Sequence, residues 1–151
     1  MSSTPQAFRP YLDRHQDPSG PGDKRPTSIE VVKDLGLENK LNDRVILITG
    51  SSAGLGLQTA RALYLTGAKL FITVRDEKKG QKAIEAIVRD APAGQKVEVI
   101  YMDLGDFGSV HAAAKDFLSR SDKLNILINN AGMLVLQPIT PCSPANDTLQ
   151  V

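Results

Sequence analysis

The run Val45-Ile46-Leu47-Ile48-Thr49-Gly50-Ser51-Ser52-Ala53-Gly54-Leu55-Gly56 constrains this chain more than any other stretch. Four apolar residues without polar alternation predict a strand covered on both faces, as in a parallel sheet. A glycine-rich turn follows and leads straight into a helix. Gly50 permits a tight exit from the strand, and Gly54 and Gly56 remove side chains where backbone and ligand approach closely. A helix starting near Leu55 aims its free N–H groups and its dipole at an anion. Ser51 and Ser52 add hydroxyl donors. The spacing reads as a pyrophosphate cradle; the plainer alternative is a glycine-rich turn without a ligand. The strand before it and the helix after it favour the cradle. A P-loop is excluded, because Gly56-Leu57-Gln58 stands where Gly-Lys-Ser/Thr is required.

From Asn42 onward, strands and helices alternate. Residues 44 to 49, 69 to 74, 97 to 101 and 124 to 128 are short, apolar and rich in β-branched residues, as strands are. Ile126-Leu127-Ile128, like Val45 to Ile48, lacks polar alternation, so both of its faces should be covered. Helices are expected over 55–66 (Ala60 and Leu63, ended by Gly67) and 77–89 (Ala83, Ile84, Ile87 and Val88 on one stripe). A third is expected over 107–119, with Val110, Ala114, Phe117 and Leu118 inward and Asp106 as N-cap. The fold class is therefore α/β, a Rossmann-like doubly wound parallel sheet that is incomplete at about four strands.

The flanks read differently. Residues 1–40 form a proline-rich arm, expected to be flexible, because five of the nine prolines fall before residue 28. It carries a short helix near 28–35 that Gly36 caps. Residues 41–135 form the nucleotide-binding half-domain. Pro138, Pro141 and Pro144 exclude an ordinary helix from the tail at 136–151, which reads as irregular.

Composition narrows the partners. A formal net charge of +1 and 5% aromatic residues disfavour nucleic acid. Cys142 is the only cysteine, so neither an intrachain disulfide nor a cysteine-based metal site can form. No signal peptide precedes the arm and no apolar run is long enough to span a bilayer, so the expected location is cytoplasmic.

The second strand ends Ile72-Thr73-Val74-Arg75, where this architecture meets the adenosine ribose. An acid there favours a free 2′-hydroxyl; an Arg favours a 2′-phosphate. Arg75 offers a planar, permanently charged fork, and Lys79 could add a second cation, which favours NADP(H) over NAD(H). Two alternatives stand beside this reading: both cations are solvated surface charges, or Asp76 contacts a ribose hydroxyl.

Thr49 to Gly56 resembles the Thr-Gly-x-x-x-Gly-x-Gly signature of the short-chain dehydrogenase/reductases. Asn129-Asn130-Ala131-Gly132 resembles that family's Asn-Asn-Ala-Gly motif, and Asp103-Leu104 is a third match. The stretch Arg75 to Gly80 is similar to the retinol-dehydrogenase-like branch. The resemblance covers about residues 40 to 135 and implies an NADP-dependent oxidoreductase acting on alcohols or ketones. It implies that Asp103 binds the adenine amino group, with the Leu104 amide helping; the alternative is a turn carboxylate. It implies that Asn130 braces the sheet or lies near the cofactor ribose, while Ala131 and Gly132 let backbone approach the cofactor. A purely architectural motif is the alternative there.

The family's chemistry uses a Tyr as general acid/base, a Lys four residues later, and a Ser. Here Tyr11, Tyr64 and Tyr101 begin no Tyr-x-x-x-Lys pattern, and no lysine follows Asn129. His15 and His111 suggest no metal site or base. No catalytic residue is assigned. The expectation is the cofactor-binding N-terminal half of such an enzyme, inactive alone, with a small-molecule substrate only in a full-length form. The other readings are a non-catalytic NADP-binding module, pairing with another chain through an open sheet edge, and a truncated product without function.

Overall fold

Successive strand residues point to opposite sides of a sheet, and that alternation divides the interior of this protein in two. A computed structural model describes residues 9–89 and 96–132. Strands β1 (Val45–Ile48), β2 (Lys69–Val74), β3 (Val97–Tyr101) and β4 (Ile126–Ile128) form one sheet in the order β3-β2-β1-β4. All three pairings are parallel. This is the first half, plus the first strand beyond the reversal, of a doubly wound order.

Helices α2 (Gly54–Tyr64) and α3 (Glu77–Val88) cover one face. There Ile46, Ile48, Leu70, Ile72 and Val74 pack with Ala60, Tyr64, Ala83 and Ile87. On the opposite face, helix α4 (Phe107–Arg120) packs Ala113 and Phe117 against Val45, Phe71 and Ile100. Phe71 and Phe117 meet edge to face, with centroids 4.9 Å apart. Asp106 caps α4 as expected, its side chain accepting the Gly108 N–H.

Helix α1 (Ser28–Asp34) lies against α2, with Val32 buried. It starts in a reciprocal Thr27–Glu30 capping box. It ends where Gly36, at φ +63°, donates to Lys33 O while Leu37 donates to Val32 O, a Schellman closure. Before it, Asp23 gathers the N–H groups of Ser19, Gly20 and Arg25. The Arg25 guanidinium, bonded to Asp23, holds that carboxyl well below the usual range.

Two expectations need correction. Of the residues expected inward on α4, Phe117 is buried, but Ala114 is exposed and Leu118 is 71% exposed; Ala113 joins Phe117 on the packed face instead. The reason is that α4 sits over Phe71 and β3 rather than over β4. For the same reason Leu127, on the α4 face, is 51% exposed; Ile126 on the other face is 38% exposed, so β4 is not covered on both faces. The expected irregular tail at 136–151 lies outside the described residues.

Candidate nucleotide-binding site

The site forms where β1, β2, β3 and β4 end, at the point where the chain reverses its direction of travel across the sheet. A cleft of about 580 Å³ opens there. Its wall includes Gly50, Ser52, Leu55 and Gly56 from the first turn, Arg75 after β2, Asp103 and Leu104 after β3, and Asn130, Ala131 and Gly132 after β4. Residues from four separate loops thus converge on one space, although up to 82 positions separate them in the chain.

The turn is shaped by its glycines. Gly50 has φ +68°, and a Cβ on it would stand 2.8 Å from Ala131 Cα. Gly56 has no room for a side chain, because a Cβ would run into the Asn130 carboxamide and Gly50 O. Gly54 is different: space around it is open, but its φ of +60° is the left-handed region. The turns of α2 start from this residue.

Those turns begin without a cap. The N-cap residue is Ala53, which has no side-chain acceptor. Among the described residues, the N–H groups of Ser52, Ala53, Gly54, Leu55 and Gly56 have no acceptor. Five main-chain donors at a helix N-terminus, beside a cleft, suit an anion such as a pyrophosphate. The loop after β4 fixes this turn from behind. Asn130 Nδ2 donates to Thr49 O (3.0 Å) and Gly50 O (3.1 Å), while Ala131 N donates to Thr49 Oγ1 (3.0 Å).

Three expected site residues stand apart from the cleft wall. Ser51 is fully buried and its hydroxyl donates to Ile48 O (3.2 Å), so it offers the cleft no donor; Ser52 alone of the pair lines it. Gly54 shapes the backbone without lining the space. Lys79 is exposed on the first turn of α3, and its main-chain N–H is taken by Asp76 Oδ1 (2.9 Å). Arg75 is exposed at the wall and pairs with no carboxylate among the described residues. Asp103 holds an Asx turn, Oδ1 accepting the Gly105 N–H at 2.9 Å, and its own N–H goes to Ser109 Oγ.

Sequence reasoning missed Thr73. It lines the cleft, is nearly buried, and accepts the Gly50 N–H through Oγ1 at 3.2 Å. The available signal was a single hydroxyl within a run of otherwise apolar residues, Leu70 to Val74.

Residues 44–150 match the short chain dehydrogenase family. The chain is 44% identical over 124 residues to the short-chain dehydrogenase/reductase prx1 of Penicillium rubens, covering 82% of this chain and 35% of that protein. It is 44% identical over 92 residues to mouse (Mus musculus) retinol dehydrogenase 12, covering 61% and 29%. A metagenomic short-chain oxidoreductase crystallised with NADP superposes with a TM-score of 0.55 at 33% identity, covering 62% and 41%. The chain therefore spans about a third of the length of the curated relatives it matches.

Proposed function

Because the chain belongs to the short-chain dehydrogenase family, we propose that residues 41–135 bind NADP(H) as the cofactor-holding part of an oxidoreductase acting on alcohols or ketones. The observation that carries this reading is the row of amides at Ser52 to Gly56, without acceptors among the described residues, beside a cleft that Arg75 and Asp103 also line. The amides would hold the pyrophosphate. The Arg75 guanidinium, unpaired among the described residues, would take a 2′-phosphate bidentately. Asp103 Oδ2 and the Leu104 amide would face the adenine. Similarity to a protein crystallised with NADP supports the same cofactor.

Bound NADP(H) supplies or accepts the hydride in such chemistry. These 151 residues contain no Tyr-x-x-x-Lys to move the accompanying proton. The proposal for this chain is therefore cofactor binding, and hydride transfer is proposed for a longer protein that contains it. A second reading, a non-catalytic module that pairs through β4, draws on the exposure of Ile126 and Leu127 at the sheet edge. Calorimetric titration of the purified chain with NADPH and with NADH tests the first reading. Tighter binding of NADPH is expected; equal affinities would remove the cofactor preference, and no binding of either would remove the site. Sedimentation of the same sample separates the second reading, which requires a dimer or a complex.

A further inference from the structure

We propose that Thr73 is a positioning residue that selects which amides of the turn face the cofactor, an inference that rests on the NADP(H) reading above. Two peptide groups flank Gly50, and each is held at both ends. In the first, Thr49 O accepts from Asn130 Nδ2 (3.0 Å) and the Gly50 N–H donates to Thr73 Oγ1 (3.2 Å). In the second, Gly50 O accepts from Asn130 Nδ2 (3.1 Å) and the Ser51 N–H donates to Thr73 O (3.3 Å). Asn130 thus grips both oxygens and Thr73 both nitrogens.

The division of labour follows from this. The amides of Gly50 and Ser51 are consumed inside the protein, and those from Ser52 to Gly56, without acceptors among the described residues, are left for a ligand. Glycine is the residue least able to hold its own conformation, so the peptides around Gly50 depend on these external partners. The main-chain half of the Thr73 grip survives any substitution; the hydroxyl half does not. Removing that hydroxyl leaves the Gly50 N–H without its acceptor and free to turn toward the cleft. The displaced turn would present its donors to a pyrophosphate in the wrong geometry. The Arg75 side of the cleft, beyond the end of β2, would be untouched.

Two ligands separate these effects. NADPH has a pyrophosphate; adenosine 2′-monophosphate has the adenine and the 2′-phosphate but no 5′-phosphate to enter the turn. In the 151-residue chain, Thr73→Val is expected to weaken NADPH about tenfold, the loss of one hydrogen bond's worth of positioning, and to change adenosine 2′-monophosphate less than about twofold. Thr73→Ser, which keeps the hydroxyl, is expected to restore NADPH affinity. Unchanged NADPH binding by Thr73→Val, or parallel loss of both ligands, overturns the inference. If the unsubstituted chain binds neither ligand, the NADP(H) reading itself fails and this one with it. Should Thr73→Val not fold, amide NMR on the unsubstituted chain decides. NADPH should then shift the Leu55 and Gly56 N–H resonances and leave Gly50 protected, whereas a dominant shift at Gly50 refutes the assignment.

Discussion

The Asp76 carboxylate accepts the main-chain N–H of Lys79 at 2.9 Å and so caps helix α3. This places the acid next to Arg75 in service of the helix. An N-cap aspartate contributes about 1 kcal/mol to its helix. Asp76→Ala should therefore lower the thermal midpoint of the chain by an amount matching about 1 kcal/mol, and Asp76→Asn, which keeps an acceptor, should recover most of it. Neither should alter the ratio of NADPH to NADH affinity. A changed ratio in Asp76→Asn would mean that the carboxylate contacts the ribose instead.

Arg75 is the residue on which cofactor choice is expected to turn. It stands at the cleft wall without a carboxylate partner among the described residues, so its guanidinium is free to pair with a phosphate. Charged hydrogen bonds contribute about 1.5–3 kcal/mol, so Arg75→Asp should weaken NADPH by about 10- to 100-fold. The introduced acid should preserve or improve NADH binding, since it can accept from a free 2′-hydroxyl. Paired titrations of both cofactors measure this. A variant that loses both equally would show Arg75 acting on the fold.

How much of this was legible in the sequence depended on whether the signal was local. The strands were, because β-branched runs such as Ile46 to Ile48 and Leu70 to Val74 report their own burial. So were the caps at Asp106 and Gly36, which act within a few residues. The packed face of α4 was legible only in part. Phe117 was, but Ala113 was not: Ala113 and Ala114 lie on adjacent stripes, and periodicity alone does not say which of them meets the sheet. Ser51 and Ser52 are indistinguishable in sequence, yet one hydroxyl turns inward to Ile48 O and the other residue lines the cleft. The grip of Asn130 on Gly50 joins positions 80 residues apart, and the convergence of Thr73 on the same turn is equally non-local.

The glycines of the turn should separate by mechanism. Gly56→Ala places a methyl group against the Asn130 carboxamide and Gly50 O, an overpacking expected to cost about 1–3 kcal/mol. Gly54→Ala meets no atoms but must hold φ near +60°, which costs roughly 1–2 kcal/mol. Urea midpoints alone would not tell the two apart; a second substitution does. In an Asn130→Ala background, part of the Gly56→Ala penalty should vanish, because one of the obstructing groups has gone. The Gly54→Ala penalty should stay additive, as expected for sites without shared contacts. Additivity at both positions would contradict the described crowding.

Acid should loosen α1 at a pH lower than an ordinary glutamate would suggest. The Glu30 carboxylate accepts the Thr27 N–H at 2.7 Å and the Thr27 hydroxyl at 2.9 Å. These bonds favour the charged form, the main-chain bond most, and hold the Glu30 carboxyl below its ordinary 4.5. A depressed folded-state value means that Glu30 stabilises the folded chain above its unfolded titration range. That contribution fades as pH falls from about 4.5 through the lower folded value. Carboxyl carbon NMR across this range should give an apparent Glu30 midpoint below 4.5. In Glu30→Gln, which keeps an acceptor for the capping box, the part of the acid-side stability loss due to this residue should disappear. A Glu30 midpoint at or above 4.5 would show that the box is open in solution.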